Sequence, residues 1–236
     1  MKKRHLIWII PSSILIILTI FFFIYTGIYY HAEEEAYNSL TSTSDVRVNK
    51  KDSYYFFDSV SETDAIIIYP GAKVEVESYA PLCMEIASDG VDVFLIYMPF
   101  RLAFFGGDSA DKIINNYNYE NYYMCGHSLG GVFAAKYAKN HSDKIKGVIL
   151  LGSYSVDEID MNTLLIYGSN DLVLNRNKYL ENLSNAKNHT ELVIEGGNHA
   201  SFAYYGKQDG DGELLIDRSI QISKTKNAIV NMVFGN

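Results

Sequence analysis

The chain has 236 residues, of which 48% are hydrophobic and 14% aromatic, enough for one domain with a sizeable core and too apolar for a disordered chain. Net charge is -8, and the charges among the first 30 residues are the cations Lys2, Lys3 and Arg4. The body is therefore acidic and has no basic block, which argues against nucleic acid as a partner.

Taken in order, the chain opens with Lys2-Lys3-Arg4 and then residues 6–30, which contain no Asp, Glu, Lys or Arg. A helix of about 20 apolar residues crosses a bilayer core, and this run is apolar all round rather than along one stripe. The basic cluster should stay cytoplasmic, with Glu33-Glu34-Glu35 on the far side. Residues 1–31 thus read as an N-terminal transmembrane signal anchor, leaving the body of the chain extracytoplasmic. The competing reading is a cleaved signal peptide and a secreted domain. The run is longer than a usual signal core and lacks a good small-residue cleavage site, which favours the anchor. Residues 32–50 read as a polar stalk, helical at its start, and residues 51–236 as the domain.

Residues 46–48 and 54–57 are strand candidates that could pair antiparallel. Residues 65–69, Ala-Ile-Ile-Ile-Tyr, are a continuous β-branched run of the kind covered on both faces. Pro70-Gly71-Ala72-Lys73 turns the chain. A helix is expected from about 81 to 88, a strand over 91–97, and a short helix over 108–117. Strand 122–125 and a helix to about 140 follow. Strands 145–151 and 163–167, helix 174–184, strand 191–194 and helix 216–234 complete the alternation. The fold class is α/β, with a mostly parallel central sheet and helices on both faces. Two cysteines, Cys83 and Cys125, read as buried free thiols, with a disulfide open if the domain is exported. Their spacing, and that of the histidines, suggests no metal site, and no cofactor is expected. The acidic stretch 209–213 alternates like a calcium loop, but Leu214 and Ile220 stand where such a loop needs glycine and glutamate, so a surface turn is expected.

Chemistry concentrates where strands end. Gly126-His127-Ser128-Leu129-Gly130 lies between a strand and a helix, the setting of a nucleophile elbow, in which the serine sits in strained backbone with its hydroxyl proud of the sheet. Asp171 follows the strand at 163–167 and His199 the strand at 191–194, so both fall on the edge that carries Ser128. The order Ser128, Asp171, His199 suits a nucleophile, a carboxylate and a general base. Glu195 and Asp108 are weaker substitutes for the carboxylate. His127 reads as a packing residue beside the site. Two backbone amides must face the developing oxyanion; Leu129 and Ala72 are expected to supply them. Phe100, Arg101 and Tyr204 are candidate substrate contacts.

The segments YPGAKV at 69–74, YMPF at 97–100, GHSLGG at 126–131, YGSND at 167–171 and GGNHASFAYYG at 196–206 together resemble the serine alpha/beta-hydrolase superfamily. More narrowly, they are similar to its small, lidless branch of carboxylesterases and dienelactone hydrolases. The resemblance covers the chain from about residue 52 onward. It implies an alpha/beta-hydrolase fold without a large lid domain and a Ser128–His199–Asp171 triad that hydrolyses a small-molecule acyl ester through an acyl-enzyme. One departure is the turn after the first long strand, which reads Tyr-Pro-Gly in place of His-Gly. An acyltransferase using the same triad, and a non-catalytic binding protein tethered to the membrane on this fold, are the alternatives.

Overall fold

The structure is a computed structural model that describes residues 2–59 and 63–235. Its centre is an eight-stranded sheet in the order β1-β2-β4-β3-β5-β6-β7-β8. The strands are β1 (Arg47–Lys50), β2 (Tyr54–Asp58), β3 (Asp64–Tyr69), β4 (Asp92–Ile96), β5 (Asn121–His127), β6 (Ile145–Leu151), β7 (Ile159–Gly168) and β8 (Ala186–Ile194). β2 pairs antiparallel with β1 and with β4, and every other pairing is parallel. The hairpin expected at the start of the domain is therefore present, and β2 alone runs against the rest.

Alternation along each strand feeds two cores. Ile66 and Ile68 of β3 point to one face, with Leu82, Cys83 and Ile86 of α3 (Ala80–Ser88) and Ile222 and Ile229 of α7 (Arg218–Phe234). Ala65, Ile67 and Tyr69 point to the other, with Ile113 of α4 (Asp111–Ile114), Ala134 and Ala138 of α5 (Leu129–Asn140) and Tyr179 of α6 (Arg176–Asn182). Because β3 is buried throughout, its sequence carries no polar alternation. Cys83 and Cys125 share the first core as free, buried thiols, and burial pushes both thiols up in pKa.

Two expectations change. β7 and β8 begin earlier than the sequence suggested, because the N-terminal half of β8 is an exposed edge with polar residues and no apolar pattern. The segment at 32–50 is no free stalk. α2 (Glu34–Asn38) buries Ala36, Val46 is 1% exposed, and Glu33 pairs with Arg218 of α7. β1 itself starts inside that segment. Before it, α1 (Lys2–Gly27) is a single long helix whose window Ile10–Gly27 has a mean hydropathy of 2.0 and is 6% buried. By length and composition it can cross a membrane.

The strand order reverses around β3 and β5, which lie side by side with Tyr69 opposite Gly126. Loops leaving such a switch point diverge and open a crevice at the strands' C-terminal ends.

Candidate active site

Ser128 caps α5 at φ 52° and ψ -124°, a conformation that a non-glycine residue keeps when its neighbours over-determine it. Three hydrogen bonds do so. Ser128 N–H donates to Leu151 O at 2.9 Å, and Ser128 O accepts from Gly131 N–H at 3.0 Å and from Ser153 Oγ at 2.7 Å. The elbow also needs bare backbone: a Cβ on Gly130 would overlap the carbonyl oxygens of Tyr69 and Pro70 at the end of β3. Leu129 is the first residue of α5, where the backbone N–H has no acceptor within the helix.

Asp171 and His199 leave β7 and β8 and meet. His199 Nδ1 lies 2.8 Å from Asp171 Oδ2, with both side chains essentially sealed from solvent. Asp171 Oδ1 accepts from the amides of Val173 at 3.1 Å and Leu174 at 2.8 Å. Three N–H donors thus converge on one carboxylate, which can only accept when ionised. A carboxylate can only accept from Nδ1–H, which leaves Nε2 as the basic nitrogen. Nε2 is buried and has no hydrogen-bond partner among the described residues. Beneath the pair runs Gly152, at φ +51°, where a Cβ would come within 2.8 Å of His199 Nδ1 and 2.9 Å of Asp171 Oδ2.

The backbone of His199 is clamped on both sides. Its N–H donates to Asp211 Oδ1 at 3.2 Å, and Ala200 N–H to Asp211 Oδ2 at 2.8 Å. The acidic stretch at 209–213 is therefore more than a surface turn, because Asp211 reaches in and holds the histidine loop. On the other side, His127 Nε2 lies 3.1 Å from His199 O, and His127 Nδ1 lies 2.6 Å from Tyr79 Oη. A carbonyl can only accept, so Nε2 carries the proton and Nδ1 accepts from the tyrosine. Burial, then the neighbouring His199, pulls the His127 pKa well below the ordinary histidine value, consistent with this neutral form. Tyr79 Oη in turn accepts from Gly71 N–H at 2.9 Å. A continuous chain of hydrogen bonds thus links the loop after β3 to the main chain of His199.

That chain also sorts the amides of the loop. Gly71 N–H goes to Tyr79 and Lys73 N–H to Arg101 O, so between them Ala72 N–H is left without an acceptor among the described residues.

The three candidate substrate contacts each pack against other side chains. Phe100 packs on Phe22 and Phe105, Arg101 lies over Tyr29, and Tyr204 lies under Arg218 of α7. Aromatic and basic residues near a strand end fit a substrate wall and a packing surface equally well in sequence, and here they pack. A hollow of about 510 Å³ lies between the Phe104–Ser109 loop and Phe133, Lys136 and Asn140 of α5, and Ser128 does not line it. Gly152, Tyr79 and Asp211 are the residues sequence reasoning missed. A glycine at the end of β6 facing two other strand ends was a signal for the first; nothing local marked the other two. Among the described residues, no group of three or more His, Cys, Asp or Glu is placed to hold a metal ion.

The sequence profile of the alpha/beta hydrolase family matches residues 65–223, two thirds of the chain. The chain belongs to the alpha/beta hydrolase family. Solved structures similar to this hydrolase include Est1E from Butyrivibrio proteoclasticus, 14% identical with a TM-score of 0.60 over 80% of this chain and 99% of that one. An esterase from Pyrobaculum calidifontis is 14% identical, with a TM-score of 0.61 over 84% and 89%. A dienelactone hydrolase from Anabaena variabilis is 12% identical, with a TM-score of 0.58 over 78% and 97%. At such identities the likeness is one of fold. No curated protein matches the chain. The connection from β6 to β7 is seven residues, 152–158, so this hydrolase carries no large lid there.

Proposed function

We propose that this hydrolase cleaves carboxylic esters through Ser128, His199 and Asp171, and that residues 6–30 tether it to the outer face of a membrane. One observation carries the chemistry: the buried His199–Asp171 pair leaves Nε2 as an unpartnered base on the sheet edge that also carries Ser128, a serine held in strained backbone. His199 Nε2 takes the proton of Ser128 Oγ as that oxygen attacks the acyl carbon. Asp171 fixes the ring and stabilises the imidazolium. The amides of Leu129 and Ala72 meet the oxyanion, aided by the N-terminal end of α5. His199 then protonates the leaving alcohol, and water repeats the sequence on the acyl-enzyme.

Esterases among the structural relatives support the substrate class, and the cationic start followed by an apolar helix supports the orientation. Cleavage after the helix would release the domain instead. The test is labelling with a fluorophosphonate probe followed by peptide mapping. The adduct is expected on Ser128 and on no residue of Ser128→Ala; an unlabelled wild type that retains its fold would overturn the proposal.

A further inference from the structure

The C-terminal end of α1 is seated on the loops that follow β3 and β4. Phe22 packs edge-on against Phe100 and Phe105, with ring centroids 5.1 and 5.8 Å apart. Lys73 Nζ lies 4.3 Å from the centre of the Tyr25 ring, and the Arg101 guanidinium 3.3 Å from that of Tyr29. Just past the helix, Tyr30 N–H donates to Lys73 O at 2.8 Å and Tyr30 O accepts from Glu75 N–H at 2.9 Å. Lys73 directly follows Ala72. The N-terminal segment is thus joined to the loop assigned the second oxyanion amide.

Lys73, Phe100 and Arg101 all have positive φ, at 58, 54 and 58°. Among the described non-glycine residues, Ser128 is the other one that does. Left-handed backbone at three such residues marks a contact whose shape is imposed by packing. On the same edge of the sheet, apolar side chains face outward. Phe104 and Leu172 are each 71% exposed and Val156 is 51% exposed, in the loops after β4, β7 and β6.

Depth follows from helix geometry. The 18 residues Ile10–Gly27 rise about 27 Å, close to the thickness of a hydrocarbon core. Phe22 lies about 7 Å inside the Gly27 end of that rise. Side chains that touch Phe22 from the domain are then at lipid depth, and Phe100 and Phe105 touch it. Lys73 and Arg101 meet the helix nearer its end, where headgroup phosphates favour cations.

Resting on the anchor and ester-hydrolase readings above, we infer that the mouth of the site lies against the bilayer. Phe100, Phe104 and Phe105 dip into the outer leaflet, and the substrate is an acyl ester resident in that leaflet. The missing lid then fits, since the membrane itself supplies the apolar cover. In the reaction the lipid's acyl C–O bond breaks as the acyl–Oγ bond forms, and the Ser128 proton passes through His199 to the departing alcohol. Water then takes the acyl group as a free fatty acid and returns a proton through His199 to Ser128.

The test uses the full-length protein in phosphatidylcholine vesicles, with Trp8→Phe removing the one native tryptophan. A tryptophan probe is placed by Phe104→Trp, or by Phe21→Trp on the exposed face of α1. Lipids brominated towards the headgroup end of their chains should quench both probes. Quenching at position 21 without quenching at 104 overturns the inference alone; no quenching at 21 removes the anchor reading and the inference with it. In parallel, hydrolysis of a short p-nitrophenyl ester in solution is compared with that of a long-chain ester held in the vesicles. The vesicle ester should be cleaved, and its rate relative to the short ester should fall about tenfold in Phe104→Asp, which replaces a lipid-buried ring with a charge. An unchanged ratio, or cleavage of the short ester alone, overturns the inference. Cleavage of neither ester overturns the hydrolase reading as well.

Discussion

On one side of Ser128 the loops after β7 and β8 hold Asp171 and His199 in a dry network of hydrogen bonds. On the other, the loops after β3 and β4 carry left-handed backbone at Lys73, Phe100 and Arg101 and turn Phe104 outward. The first side satisfies nearly every polar atom it buries and keeps one back, Nε2 of His199. The second is assembled from aromatic contacts with α1 and tolerates exposure. On the proposed function the contrast separates two tasks. A proton-transferring pair needs fixed geometry and exclusion of water, whereas a docking rim needs apolar area and a shape matched to what it meets. Substitutions on the polar side should therefore act on kcat, and those on the aromatic side on which substrates are reached.

The sharpest way to break the polar side is Asp171→Asn. It keeps the shape but donates where it should accept, so His199 takes the wrong tautomer. A loss of roughly 10⁴-fold in kcat is expected, with KM for a soluble ester little changed. A smaller effect, about 10²-fold, is expected from Gly152→Ala, because the added methyl group pushes His199 and Asp171 out of register and is itself strained at positive φ. Steady-state kinetics on a short ester measure both, with circular dichroism checking the fold. Smallest is a stability effect centred on His127. Its folded-state pKa is depressed by burial, so below about pH 6.5 the unfolded chain binds a proton there that the folded chain refuses. This contribution to stability is complete above that pH and is lost as pH falls through the window beneath it, by up to about 1.4 kcal/mol per pH unit. Urea unfolding between pH 8 and pH 5.5, roughly the range flanking that value, should show the slope in the wild type and a shallower one in His127→Gln, while Phe104→Asp leaves it as it was.

Much of this was legible because each part announces itself locally. β3, β5 and β6 each contain a continuous apolar run, and Ser128, Asp171 and His199 each follow a strand within a few residues. Chain order then put them on one edge without any knowledge of distance. What stayed hidden is what depends on packing between distant segments. Tyr79 meets His127 across 48 residues and Asp211 meets His199 across 12, with no motif at either end. Nothing in sequence says that Phe22 and Tyr29 would pack on Phe100 and Arg101 either. The extent of β8 was missed for a different reason: an edge strand has an exposed face and little apolar signal to read.

The central claim is that Ser128 is the nucleophile of an ester hydrolase, and the most direct measurement is turnover of a short p-nitrophenyl ester by the full-length protein and by Ser128→Ala. Wild-type turnover that falls by about 10⁴-fold or more in the variant, with the fold intact, is the expected result. Equal rates in the two proteins would contradict it.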